Sequence, residues 1–168
     1  MEHWNWLIAT HAVAAGYVLV LGPLNIFRRA KDTVHKAVGF TWVGAMYYVC
    51  ISSFWITHDG GFSWLHGLSA FTLLTVTLGL ISAIRGNIAA HRGNMIGSYL
   101  GTATAFAFAT LAPGRRIPAL LAEDPATLAF AAALVLASSA ALFLTLRGLT
   151  RRNLPYAPKR ECAPGPAV

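Results

Sequence analysis

Four histidines, His11, His35, His66 and His91, are the side chains of this chain best placed to do chemistry. Each stands at or just inside the end of a long apolar stretch. A neutral imidazole offers one lone pair that binds a metal and one N–H that donates. With the membrane spans assigned below, His11 and His66 fall toward the outer face, and His35 and His91 toward the inner face. In an up-and-down bundle the first and third helices are diagonal partners, as are the second and fourth, so each pair can face the axis at one level. Axial imidazoles at both positions hold a b-type haem, and such a haem in a helical bundle carries electrons. The expected cofactor-binding set is therefore His66 with His11 at an outer haem b and His35 with His91 at an inner one. Cations to pair propionates lie at the same levels: Arg28, Arg29, Lys36, Arg85 and Arg92 inside, Arg115 and Arg116 outside.

Plainer uses stand beside this one. Interfacial histidines bond carbonyls, water or lipid phosphates. His35 and His91 with Arg92 also suit an anionic headgroup, or a quinone carbonyl with Tyr99 nearby. A zinc site at His35 and His91 would have little beyond Asp32 to complete it. Asn87 and Asn94 flank His91 and either orient its ring or cap the turn. His3 and His58 read as exposed and take no role. Ser52, Ser53, Thr72, Thr75 and Thr77 are expected to bond back to helix carbonyls. The chain carries no phosphate-binding Gly-rich loop, no serine or cysteine nucleophile motif and no carboxylate within a span. This argues against a transporter or an aspartyl protease that works through an intramembrane carboxylate, and no catalytic residue is assigned.

The elements that must position these histidines are five apolar stretches, about Trp6–Phe27, Lys36–Thr57, Trp64–Arg85, Ile88–Ala112 and Thr127–Leu146. Their lengths match a hydrocarbon core of about 30 Å. Of 168 residues, 56% are hydrophobic and 11% charged, well below the roughly 25% charged of a soluble domain. The net charge of +7 would suggest nucleic acid in a soluble protein. Here the charges lie outside the apolar runs, so the expected partner is the bilayer and not nucleic acid. Eleven of the 13 Lys and Arg residues fall on the first turn, the third turn or the tail. The positive-inside rule then places the N-terminus outside and the C-terminus in the cytoplasm of a bacterial inner membrane. No cleavable signal is visible, so the first span is read as retained. Cys50 and Cys162 have no partner motif, and there is no CxxCH haem-attachment site.

Short turns dictate an all-α, polytopic membrane bundle: a four-helix up-and-down unit plus a fifth transmembrane helix. Asp32 or Thr33 can cap the second span and Ser63 the third. Gly16, Gly39, Gly44, Gly79, Gly97 and Gly101 give small faces for close helix approach, the last two as a GxxxG. The bundle is expected over residues 1–147, with a basic, disordered cytoplasmic tail over 148–168. The fifth span is Ala- and Ser-rich and follows the longest connection, Pro113–Ala126. It suits either an added helix or a contact with a larger membrane complex, in which the chain would be a non-catalytic accessory subunit or scaffold.

The runs HKAVGFTWVGAMYYVCISSFWI (His35–Ile56), GFSWLHGLS (Gly61–Ser69), AIRGNIAAHRGNMIGSYLG (Ala83–Gly101) and TLAPGRRI (Thr110–Ile117) together resemble the bacterial membrane-protein family known as domain of unknown function 2306. The resemblance covers about Ala9 to Ile117, with the fifth span and tail outside it. It implies a membrane bundle and singles out His35, His66 and His91, with Ser53, Asn87, Arg92, Tyr99 and Arg115 among the motif-like positions. It implies no activity.

Overall fold

Side-chain caps and turn chemistry set where each helix begins and ends. The computed structural model describes residues 6–56, 61–111 and 123–152. Their regular structure is five helices: α1 (Trp6–Ile26), α2 (Thr33–Ser53), α3 (Trp64–Ile84), α4 (Ile88–Leu111) and α5 (Pro125–Arg152). Asp32 starts α2 earlier than Lys36 by accepting from the His35 backbone N–H at 3.1 Å. Tight turns from Phe54 to Ile56, each N–H bonding back three residues, end it at Ser53. Asp124 caps α5 through the Thr127 N–H at 3.0 Å, with Pro125 in the first helical position. That helix runs past Leu146 to Arg152, so residues 148–152, expected in a disordered tail, are helical. Residues 153–168 and Arg115 lie outside the described residues.

The α3–α4 turn requires a glycine. Gly86 has φ +77°, and the N–H groups of Gly86 and Asn87 bond the carbonyls of Ala83 and Ser82. This is a Schellman closure, whose left-handed residue no side chain tolerates well.

Neighbouring helices in sequence run antiparallel. α1 packs on α2, α2 on α3, α3 on α4, and α4 closes the ring against α1, while the diagonals α1/α3 and α2/α4 make no direct backbone approach among the described residues. α5 lies outside this ring against α1 and α2. Tyr17 and Ser138 share a hydrogen bond of 2.5 Å there, and the Arg28 guanidinium sits 5.9 Å from the Phe143 ring centre. The core is Val18, Leu21, Val34, Val38, Trp42, Met46, Val49, Cys50 and Val76.

Three of the helices, α1, α3 and α5 as far as Gly148, are long and apolar enough to cross a membrane. α2 and α4, with 21 and 24 residues, are at least as long as α1 but carry more polar side chains. Those side chains are used within the bundle. The hydroxyls of Ser52, Ser53, Thr75 and Thr77 donate back to helix carbonyls, as their sequence positions suggest. Three of the contacts between helices reuse them: Tyr47 with Thr77, Ser53 with Ser69, and Thr75 with Ser98. Outward-facing Phe40, Phe71, Leu74, Leu100, Phe106 and Leu136 are exposed, an apolar surface suited to lipid.

Pro23 sits inside α1 and has no N–H for the Leu19 carbonyl. The Tyr99 hydroxyl reaches that carbonyl at 3.5 Å, and the Trp42 indole N–H donates to the carbonyl before it, that of Val18, at 3.0 Å. Tyr99 thus reaches from α4 toward the carbonyl that proline leaves open, and Trp42 adds a bond from α2 to the carbonyl beside it.

The turn between α1 and α2 carries a pH dependence. The Asp32 carboxyl is held below the usual carboxylate range, first by hydrogen bonding from Arg28 and then by the His35 N–H. Its cap is complete above the ordinary carboxylate range and is lost as pH falls through the lowered value. Thermal stability in detergent is expected to decline in that acid window. Asp32→Asn, which still caps but does not titrate, should flatten the decline; an unchanged acid limb in that variant would remove Asp32 as its cause.

Candidate functional site

The chemistry-bearing side chains gather at two ends of the bundle. At the basic end meet the C-terminus of α1, the N-terminus of α2 and the α3–α4 turn. Arg28 pairs with Asp32 at 2.7 Å. The Lys31 ammonium donates to the carbonyls of Arg28 at 2.6 Å and Asn25 at 3.3 Å, closing α1. Burial, then Arg92 and Arg28, push the Lys31 ammonium below the usual lysine range, so α4 brings Arg92 into the field of the first turn.

His35 and His91 both stand at this end. Each lies within electrostatic range of the other, although they come from diagonal helices. The register accounts for this. Thr102 of α4 donates to the Met46 sulfur of α2 at 3.3 Å, a separation of 56 residues, and the two histidines have the same separation. Parallel helices in that register set both imidazoles at one level.

The hydrogen bonds assign the form of the His91 ring. Its Nδ1 lies 2.9 Å from the Gly79 carbonyl, and a carbonyl only accepts, so Nδ1 carries the proton and Nε2 keeps a lone pair. Gly79 permits the approach: a Cβ there would lie 2.7 Å from the Met95 methyl and 3.1 Å from Asn94 Cβ. Asn87 and Asn94 do not orient the ring. Asn87 accepts from the Ala90 N–H at 3.1 Å, and Asn94 donates to the Ala90 carbonyl at 2.9 Å. On the other side, Nδ1 of His35 is buried without a hydrogen-bond partner among the described residues, as is Oδ1 of Asn25. The Asn25 amide N–H donates to the His35 carbonyl at 3.3 Å, which joins these two groups in one nook.

At the opposite end the histidines stand apart. His11 donates from Nδ1 to Ser52 Oγ at 2.8 Å, because the Ser52 proton goes to the Tyr48 carbonyl at 2.6 Å. His66 is 6% exposed, and its Nδ1 accepts from the Ser63 backbone N–H at 2.9 Å. This is half of a capping box, with imidazole where glutamate usually stands. With Nδ1 accepting, Nε2 carries the proton and has no lone pair for a metal. Ser52 bonds His11, and its neighbour Ser53 bonds Ser69. His11 therefore lies about one turn, ~5.4 Å, deeper than His66. An apolar groove of about 380 Å³ runs along this half of α1, lined by Trp6, Ala9, Thr10, Val13, Ala14 and Tyr17. None of the four histidines lines it.

A family model described as "Predicted membrane protein (DUF2306)" matches residues 8–146. The chain belongs to this family. The DUF2306 match continues beyond Ile117 through most of α5, so that helix is part of the family unit and not outside it. No curated protein and no solved structure matches the chain. This DUF2306 chain is thus a membrane protein.

Among the described residues, no three His, Cys, Asp or Glu side chains converge as metal ligands. Haem iron needs only two ligands from the protein. Of the expected cations, Arg28 and Arg92 belong to the His35–His91 end by contact or charge. Arg29, Lys36 and Arg85 are exposed. Asn25 and Lys31, which the histidine pattern does not single out, complete the cluster. A polar residue in the last turn of an otherwise apolar helix is the one signal that pointed to Asn25.

Proposed function

We propose that this protein is a small membrane electron carrier of b-type cytochrome character, with one haem held between α2 and α4 by His35 and His91. The observation that carries the reading is the fixed ring form of His91. Its Nδ1–H is tied to a backbone carbonyl and its Nε2 is left basic, the arrangement in which protein imidazoles bind metals. His35 supports it from the diagonal helix with a buried, unpartnered ring nitrogen. Haem supplies one-electron chemistry when bound; the chain supplies two imidazoles, and Arg28, Lys31 and Arg92 offer cations for its propionates. No haem is proposed at His11 and His66, since the His66 ring form does not suit iron. Protein purified from haem-sufficient cells should show a Soret band and a sharp α-band on reduction, and a colourless product would sink the reading.

The topology proposed with it has five spans in a bacterial inner membrane, N-terminus outside and C-terminus in the cytoplasm. A reporter fused after Lys159 should behave as cytoplasmic and one inserted near Asp59 as external. The reverse pattern would overturn the orientation.

A second reading, an accessory subunit of a larger membrane complex, is favoured by α5. One side of that helix packs on α1 and α2, while Ala131, Ala132, Ala133, Ala137, Ala140 and Ala141 are exposed, a small-residue surface that permits close helix contact. Absorbance with a monomer or dimer mass after mild extraction supports the carrier. A colourless protein with co-purifying subunits supports the accessory role.

A further inference from the structure

We infer that the Trp64 end of the bundle binds the carbonyl oxygen of a membrane-dissolved quinone through Nε2–H of His66. The starting point is a buried donor with nothing to donate to. The His66 side chain is 94% buried by difference from its 6% exposure, and its Nε2 has no hydrogen-bond partner among the described residues. Leaving such a group unpaired is costly, so the site favours an acceptor.

The acceptor's chemistry follows from what surrounds the ring. The Ser63 N–H fixes Nδ1 as the accepting nitrogen, so Nε2 donates and its partner must present an acceptor oxygen. The Phe62 ring meets the imidazole edge-on at 4.9 Å between centres, and Phe54 lies at 6.1 Å. Two apolar rings beside the donor disfavour a phosphate, whose charge they would strip of water, and favour a neutral carbonyl on a flat ring. Phe62 is itself 80% exposed, which puts the aromatic edge where a ligand arriving through lipid meets it. The N-terminus of α3 adds its partial positive charge to the same oxygen.

This deepens the electron-carrier reading by naming the class of its redox partner, yet it depends on different residues and is measured separately. The full chain, in nanodiscs, is mixed with a short-tailed benzoquinone carrying 13C carbonyls, and infrared difference spectra are recorded. One carbonyl band should move to lower wavenumber on binding. His66→Phe should abolish that shift and weaken binding about tenfold, while His66→Gln, which keeps an N–H donor, should retain the shift. The His35→Ala, His91→Ala double variant should bind the quinone as the parent does, so loss of haem and loss of quinone are told apart. A second arm uses 13C-ester phospholipid in place of the labelled quinone. An ester band that responds to His66→Phe, with an unmoved quinone band, would assign the donor to a lipid carbonyl and overturn the quinone. An unshifted quinone carbonyl in the parent protein would overturn it without recourse to any variant.

Discussion

Replacing His91 by alanine is expected to abolish the Soret and α-band absorbance of the purified protein, and His35→Ala is expected to do the same. The size of the effect follows from the ligand count. The proposed site has two protein ligands for the iron, and among the described residues no group of three metal-binding side chains offers a replacement, so neither loss has a substitute. The structural cost is small by comparison. His91→Ala deletes one hydrogen bond to the Gly79 carbonyl, about 1 kcal/mol, against a folding stability of roughly 5–15 kcal/mol, so the variant should remain helical and extractable. His91→Asn separates ligation from positioning, because an amide N–H can still donate to the Gly79 carbonyl while offering no comparable base to iron. That variant should be as colourless as the alanine one. Full absorbance in His91→Asn would mean that Nε2 of His91 is not a ligand. His11→Ala should leave the spectrum unchanged, since His11 lies at the other end of the bundle, where His66 presents an N–H and no second basic nitrogen for iron.

The helices could be read from the sequence because lipid imposes length and polarity on them. Asp32 and Ser63 marked helix starts by type and place, and the Ser and Thr side chains had carbonyls one turn back within reach wherever the chain was helical. Depth was legible in part: the register shared by Met46 and Thr102 sets His35 and His91 at one level, whereas His11 lies about one turn deeper than His66. The ring forms were not legible. Whether an imidazole presents a base or a donor depends on which backbone group meets its Nδ1. For His91 that group is the carbonyl of Gly79 on another helix, and for His66 it is the N–H of its own helix cap. Equal depth therefore suggested equal chemistry for two pairs that differ. Lys31 was visible as a charge, but its bonds to the end of α1 depend on how the turn folds back. The GxxxG of α4 was also a poor guide to contact. A Cβ at Gly97 would meet nothing within 4 Å, and one at Gly101 only ordinary contacts with Leu68 and Thr72.

The glycine that does matter lies in α1. Gly22→Ala is expected to destabilise the bundle by about 1–3 kcal/mol, the range for forcing one extra carbon into a filled core. A Cβ there would stand 2.5 and 2.8 Å from two atoms of the Tyr99 ring and 3.1 Å from the Trp42 indole nitrogen. Neither neighbour can retreat without loss. The Tyr99 hydroxyl bonds the Leu19 carbonyl that Pro23 leaves open, and the Trp42 N–H bonds that of Val18. Within lipid, helix association rests on packing and interhelical hydrogen bonds more than on water exclusion, so a displaced ring weakens the α1–α4 contact directly. The check is a double-mutant cycle on thermal unfolding in detergent. Tyr99→Leu alone should cost stability by emptying the slot and losing a hydrogen bond. Combined with Gly22→Ala it should cost less than the sum of the two single variants, because the methyl then occupies space that the ring has vacated. Strict additivity would show that Gly22 and Tyr99 do not touch, and with that the register joining α1 to α4 would have to be redrawn.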